Sequence, residues 1–384
     1  MPFAEEVYKW RRVVLVRLVR AVSGAPVADA PDIDDRGWVH DPASGTTPAA
    51  VHGPVFGMPQ NADTRVKLER VRLDPPPGGP QLFLTNRVPA ESSIAAVTTP
   101  ASGTALAADG IITVHSGGGS WSNRLVIIDV RVGSDSGPVI FEFGVRVFAM
   151  IRLDVQPHIV RINGTLCATN QARIDTLRDV VNRVWRPVGL RFNFKPVAGH
   201  TVTRTGCITA GEVTTNNSSA PVPNPLGGTL AANDWTEFNN ILLQDRVASH
   251  INIHWVVRFT NLGVAAPNQH NTNAATYDRV AWPAGCGIIM NDTADGNDLA
   301  HEIGHFLSLN HPDENAAGAS VIEHVDMLRR LMYSFRPFAA NAAYRANVGY
   351  GANQRGALVT MRNRSQDRRD NDWNDSRTRA RNPY

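Results

Sequence analysis

Between His301 and His311 the chain reads HEIGHFLSLNH, and this stretch constrains the fold more than any other. On a helix, His301 and His305 stand four positions apart, one turn along the same face, so both imidazoles can approach one ion from one side. Glu302 lies beside the first of them and is placed to act on a water held at that ion. His311, six residues after His305, cannot share that face if the helix runs on. Pro312 forbids helical geometry at the residue before it, so His311 is expected in an extended segment just past the helix end. Three imidazoles would leave a fourth position open for water on a tetrahedral zinc ion, the arrangement of a catalytic site. Twelve of the 384 residues are histidine, so requiring a third one at a set spacing cuts a chance match by about thirtyfold. Ile303, Phe306, Leu307 and Leu309 supply the core face of the helix.

The motif resembles the long zinc signature of the metzincin metallopeptidases, HExxHxxGxxH, and Leu331-Met332-Tyr333 resembles the methionine-containing turn of that clan. The resemblance covers roughly the second half of the chain. It implies one catalytic Zn2+ on His301, His305 and His311, Glu302 as general base, and Met332 packed beneath the metal. It also implies that the last strand before the helix, Gly287, Ile288, Ile289, Met290 and Asn291, forms the cleft rim and pairs with an extended peptide. Two positions depart from the pattern. Ser308 stands where the family has a turn-making glycine, and Asn310, which tolerates left-handed geometry, is the alternative carrier of the turn. The residue two after Met332, where some members have a tyrosine ligand, is Ser334.

The expected activity is hydrolysis of peptide bonds in protein substrates. A gluzincin-type site, with Glu323 as third ligand and Asp313 and Glu314 as nearer acids, is a second reading. A catalytically silent, zinc-stabilised component of a larger assembly is a third, against which Glu302 argues, since a structural metal has no use for a general base.

At 384 residues the chain exceeds one comfortable core, which points to two domains. Residues 1–148 are expected to form an all-β, sandwich-like accessory domain: the runs Val13–Val19, Gln81–Thr85, Gly110–His115, Arg124–Val132 and Val139–Val147 alternate between breaks such as Pro75–Gly79 and Ser116–Ser120. Docking to a partner is its expected role. Residues 149–366 are expected to form an α+β, metzincin-like peptidase domain with a mixed twisted sheet and a small C-terminal subdomain. Its elements are a strand over Ile151–Ile162, a helix over Asn170–Trp185 ended by Pro187 and Gly189, and a strand over Leu190–Phe194. A loop over Thr214–Pro225 and a helix opened by an Asp234/Glu237 capping box follow. Strands over His250–Phe259 and Cys286–Met290 lead to the zinc helix, and Gln354–Arg364 is the candidate C-terminal helix. Residues 367–384 read as a basic, solvated tail.

Net charge is +3, and only Lys9, Lys67 and Lys195 are lysines, so nothing favours nucleic acid as a partner. No stretch is long and apolar enough for a membrane span. Arg17 and Arg20 interrupt the apolar run Val13–Val22, and Glu5 and Glu6 precede it. That run is expected to be a strand rather than a secretion signal, with residence in the cytoplasm or export by a signal-independent route. Cys167, Cys207 and Cys286 are too few for a disulfide framework, a Cys167–Cys207 bridge being the one pairing left open.

Overall fold

A computed structural model of the chain describes residues 14–20, 33–34, 55–73, 80–119, 123–205, 212–216, 220–223, 228–232, 234–262, 274–277, 287–307, 309 and 380. Among them the fold is mixed α/β, mostly strands in several sheets, with three α-helices. These residues divide into two compact units. One takes those up to Met150 together with Trp185–Leu190; the other takes Ile151–Val184 and those from Arg191 on. No helix among the described residues is long and apolar enough to cross a membrane.

The first unit is built from β1 (Val14–Arg20), β2 (Ile33–Asp34), β3 (Val55–Pro59), β4 (Ala62–Leu73), β5 (Leu82–Asn86), β6 (Ala95–Thr99), β7 (Ile111–Ser116), β8 (Asn123–Val132) and β9 (Val139–Phe148). They form two sheets, in the orders β1-β4-β7-β6 and β2-β3-β9-β8-β5. Apolar residues of both, among them Val66, Leu68, Ile112 and Val114 from one and Phe56, Val126, Ile128, Phe143 and Val145 from the other, join a single buried cluster. Period-two alternation on strands of both sheets produces that core.

The second unit opens with β10 (Ile151–Ile162) and β11 (Thr165–Leu166), then α1 (Gln171–Trp185). Next come β12 (Leu190–Phe194), β13 (Thr201–Arg204), β14 (Glu212–Asn216), β15 (Val222–Pro223), β16 (Thr229–Leu230) and α2 (Thr236–Leu242). It continues through β17 (Ile251–Val256), β18 (Arg258–Leu262), β19 (Ala274–Tyr277) and β20 (Gly287–Asn291) to α3 (Gly296–Phe306). The main sheet runs β11-β10-β17-β20-β19, with β12 and β13 also pairing with β10. β10, β17 and β20 are mutually parallel, and β19 lies antiparallel on β20. Every residue of β17 and β20 is buried, as expected of central parallel strands covered on both faces. On one face, Val160, Ile162, Val256 and Ile289 pack with Phe238, Ile241 and Leu242 of α2. Gly287 belongs to that face: a Cβ there would meet the Leu242 side chain and the Asn252 carbonyl, each at 3.0 Å.

α1 buries Ile174, Leu177, Val181 and Val184, the stripe that its 3.6-residue period requires. Arg186–Val188 tightens into a 3-10 turn after it, and Gly189 closes the turn at φ 69°, a conformation that costs glycine little. Asn182 then clips the helix to β12, donating to the Phe192 carbonyl and accepting from its N–H.

Several sequence expectations are corrected. The segment Thr214–Pro225 is not all loop, because it holds part of β14, parallel to β18, and β15, paired with β16. The run His250–Phe259 is not one strand: it breaks at Val257, and β18 leaves the main sheet to pair with β14. Asp234 and Glu237 form no capping box on α2, whose N-cap is Trp235. The Asp234 carboxylate accepts the Thr236 N–H, while Glu237 is drawn to Arg204, 3.1 Å away. Cys167 is a free thiol. Cys207, Cys286 and the segment Gln354–Arg364 lie outside the described residues, as does the tail except Ala380, which is helical and buried.

Asp292, in the turn between β20 and α3, joins the two ends of this unit. Its carboxylate accepts from the backbone N–H groups of Ala168 and Thr169, from the Thr169 hydroxyl and from the Cys167 thiol. Burial opposes ionisation of Asp292, but these four donors outweigh it and hold the carboxyl below its ordinary range. The same burial, reinforced by the neighbouring carboxylate, pushes the Cys167 thiol up to about 12, so it serves as a donor and not as a nucleophile. Because the folded pKa of Asp292 is depressed, its contribution is complete above about pH 4 and is lost as pH falls through the lower folded value. Asp292→Asn should cost about 2 kcal/mol at neutral pH and make the acid limb of stability shallower. Urea midpoints measured between pH 7 and 3 check this; an unchanged acid limb would remove Asp292 from that role.

Candidate active site on the HExxH helix

α3 begins with a strong local start signal. The Asp295 carboxylate accepts from the N–H groups of Asn297 and Asp298, at 2.7 and 2.9 Å, and Asp298 returns the favour by accepting from the Asp295 N–H at 3.0 Å. This reciprocal box satisfies three donors and places negative charge at the positive end of the helix. Gly296 follows because nothing larger fits: a Cβ there would lie 2.4 Å from Cβ of Val180 on α1. Arg173 of α1 also donates to the Ala294 carbonyl. The helix is therefore held at its first turn by α1, by its own cap and, through the preceding turn, by Asp292.

From that anchored start the motif residues fall into position. Leu299, Ile303, Phe306 and Leu307 are buried, as is Leu309 beyond the helix. His301 is buried, while Glu302 and His305 are half-buried. The rings of His301 and His305 meet edge to face with centroids 4.7 Å apart. The helix ends at Leu307, and the Leu309 N–H donates to the Gly304 carbonyl at 2.9 Å. That is a six-to-one bond, the kind that closes a helix C-terminus. Asn310, the expected carrier of the turn, lies outside the described residues. Position 308 itself is outside the described residues.

The same closure sets the chemistry of His305. Its Nδ1 lies 2.8 Å from the Leu309 carbonyl. A carbonyl can only accept, so Nδ1 carries the proton and Nε2 of the neutral ring carries the lone pair. An imidazole oriented by a backbone carbonyl and presenting Nε2 is the form in which histidine binds a divalent ion. Two imidazoles one turn apart, one of them locked in that tautomer, with a carboxylate beside them, fit a zinc ion and its water.

His311, Met332, Glu323, Asp313 and Glu314 lie outside the described residues. The rim expectation is corrected. Ile288, Ile289 and Met290 cannot pair with a peptide, because β17 takes one side of their backbone and β19 the other, and Gly287 pairs with Tyr277 of β19. Asn291 pairs with Val256 of β17, and all five residues are buried. Among the described residues the strand at that end of the sheet is β19, which the sequence reading missed.

A second group of titratable residues also went unassigned. His158 on β10, His200 before β13 and Asp245 after α2 bring one ligand atom each to within 4.8 Å of one another. His158 stacks on His254, its register partner on β17, with ring centroids 4.4 Å apart. Burial lowers the pKa of both rings, that of His254 to about 3. No local spacing marks these residues, since they meet through strand register and turns.

No family model matches the chain, and no curated protein does. Among solved structures, a sialyltransferase from Photobacterium damsela is similar at 8% identity, over 54% of this chain and 35% of that one, with a TM-score of 0.20. A likeness of that degree carries no inference about either fold or activity.

Gly296→Ala tests the placement of α3. The added methyl must push α3 away from α1, which should cost about 2 kcal/mol. The denaturant midpoint should fall with no change in slope; an unaltered midpoint would show that the two helices are not in this close contact.

Proposed function

We propose that the chain is a zinc-dependent endopeptidase of the metzincin type. The single observation that carries this reading is the arrangement of His301, Glu302 and His305 on α3, with the His305 ring held by the Leu309 carbonyl. His301, His305 and His311 would hold the ion. The spacing of His311 after the motif, with Pro312 behind it, supports His311 over Glu323. Zinc, when bound, acidifies water and polarises the scissile carbonyl. Glu302 takes the proton of the attacking water and returns it to the leaving amine, so that no net proton is consumed. Met332 would pack beneath the site as an apolar floor.

The finer fold belongs to the same reading. The mixed sheet followed by the motif helix is consistent with a metzincin-like catalytic domain, preceded by a sandwich-like accessory domain that would dock a partner. An extended peptide would add to the sheet at β19, the strand at that end of it among the described residues.

Glu302→Ala should lower peptide hydrolysis on the order of a thousandfold while zinc content equals that of the unaltered chain. His311→Ala should lose one equivalent of zinc in mild chelator, and Glu323→Ala should keep it. Cleavage of a denatured protein substrate followed by mass spectrometry, beside metal analysis, reads both. Undiminished cleavage by Glu302→Ala would end the mechanism, and zinc lost from Glu323→Ala but kept by His311→Ala would make the site a gluzincin one.

A further inference from the structure

We propose that His158, His200 and Asp245 form a second metal site, specific for a zinc-like divalent transition ion and separate in its ligands from the HExxH helix. The inference begins with Asn252, whose orientation three backbone bonds determine. Its amide nitrogen donates to the carbonyls of Val247 and His250, and its oxygen accepts the Val247 N–H at 2.9 Å. The atom of Asn252 that faces His158 Nε2, at 2.9 Å, is therefore an acceptor. His158 Nε2 must carry a proton and donate it.

The other ring nitrogen is then the problem. Nδ1 of His158 lies 3.2 Å from Oδ2 of Asp245. In a neutral ring it holds a lone pair aimed at a carboxylate oxygen, two acceptors face to face. A cation between them removes the conflict. A second proton on the ring is disfavoured, because the His158 side chain is wholly buried and burial keeps the ring from charging. His254, stacked on it, is buried as well; it donates Nε2–H to the Gln244 carbonyl and leaves its own Nδ1 without a partner. Among the described residues, the acid in contact with that pair is Asp245.

The geometry suits a metal. His200 Nδ1 lies 3.0 Å from the same Asp245 oxygen. Ligand atoms about 2.0–2.1 Å from a tetrahedral zinc stand roughly 3.3 Å apart, close to the 3.0 and 3.2 Å seen here. Two imidazole nitrogens and one carboxylate oxygen are a borderline-soft set that favours zinc-like ions over magnesium or calcium. Asp245 and His200 are partly exposed, so ion and water can enter, with water as fourth ligand. The three ligands come from a strand, a turn before β13 and the turn after α2, so a bound ion would cross-link segments far apart in the chain and stabilise the unit.

The test is metal stoichiometry on the full chain. His301→Ala combined with His305→Ala removes the HExxH pair; that variant should still bind one Zn2+ per chain, and Co2+ in its place should give visible d–d absorption. Adding His200→Ala should abolish both, and so should adding Asp245→Asn, a change the backbone at φ 50° tolerates because asparagine accepts left-handed geometry. Saturating Zn2+ should raise the Tm of the two-histidine variant by about 5–10 °C. Should that variant fold poorly, His200→Ala alone must lose one zinc equivalent relative to the unaltered chain. Zinc binding that survives both His200→Ala and Asp245→Asn overturns the proposal. So does a chain that binds no zinc once the HExxH pair is gone, which would leave a proton as the cation between His158 and Asp245. Failure of the peptidase reading would appear instead as lost metal or cleavage at Glu302, His305 or His311, independently of these two substitutions.

Discussion

The carboxylate of Asp292 is the contact on which the second unit depends. It sits at the end of β20, one turn before the motif helix, and it accepts four hydrogen bonds from the short segment 167–169 that leads into α1. Hydrogen bonds to a charged acceptor are about twice as strong as neutral ones, and here they close a loop of more than a hundred residues. The consequence is geometric. The N-terminal end of α3 is brought against α1, where Val180 imposes the 2.4 Å constraint at Gly296 and leaves only glycine acceptable there. The direction of α3, and with it the direction of His301 and His305, follows from this anchoring before any metal is considered.

What was legible in the sequence is what local periodicity carries. β10 runs over Ile151–Ile162, as its apolar alternation indicates, and α1 buries the stripe Ile174, Leu177, Val181 and Val184. The motif helix and its core face were equally readable, because an i, i+4 pattern is a property of consecutive residues. Capping was less so. Asp234 with Glu237 and Asp295 with Asp298 have the same spacing, yet only the second pair closes a box. The difference is tertiary: Arg204 competes for Glu237, and a charged partner on a neighbouring strand outbids a backbone N–H.

Register accounts for the rest. β20 was read as the sheet edge because it immediately precedes α3, and sequence order says nothing of which strand lies beside it. β19 is four residues long, too short for a distinct alternation signal, and a strand of that length is placed by its partner rather than by its own pattern. The histidine pair His158 and His254 is hidden for the same reason. The two are 96 positions apart and become neighbours only because β10 and β17 pair in parallel at that register. Seen along either strand, each is a single histidine flanked by apolar residues, for which a core histidine is the ordinary reading.

The two histidine groups show how a fold settles what imidazole does. In both, one nitrogen is claimed by an oxygen of unambiguous polarity: the Leu309 carbonyl for His305, and the Asn252 amide oxygen for His158. That bond assigns the proton, and the remaining nitrogen must present a lone pair. On α3 the lone pair of His305 belongs to a half-buried ring, beside a second imidazole and the Glu302 carboxylate. On β10 the lone pair of His158 is buried and faces a carboxylate across 3.2 Å, a disposition that only a cation makes favourable. The first arrangement suits a site that must exchange water and substrate; the second suits one that holds its ion and ties the chain together. Which nitrogen carries the proton separates these outcomes, and in each case it is set by a residue outside the element that bears the histidine.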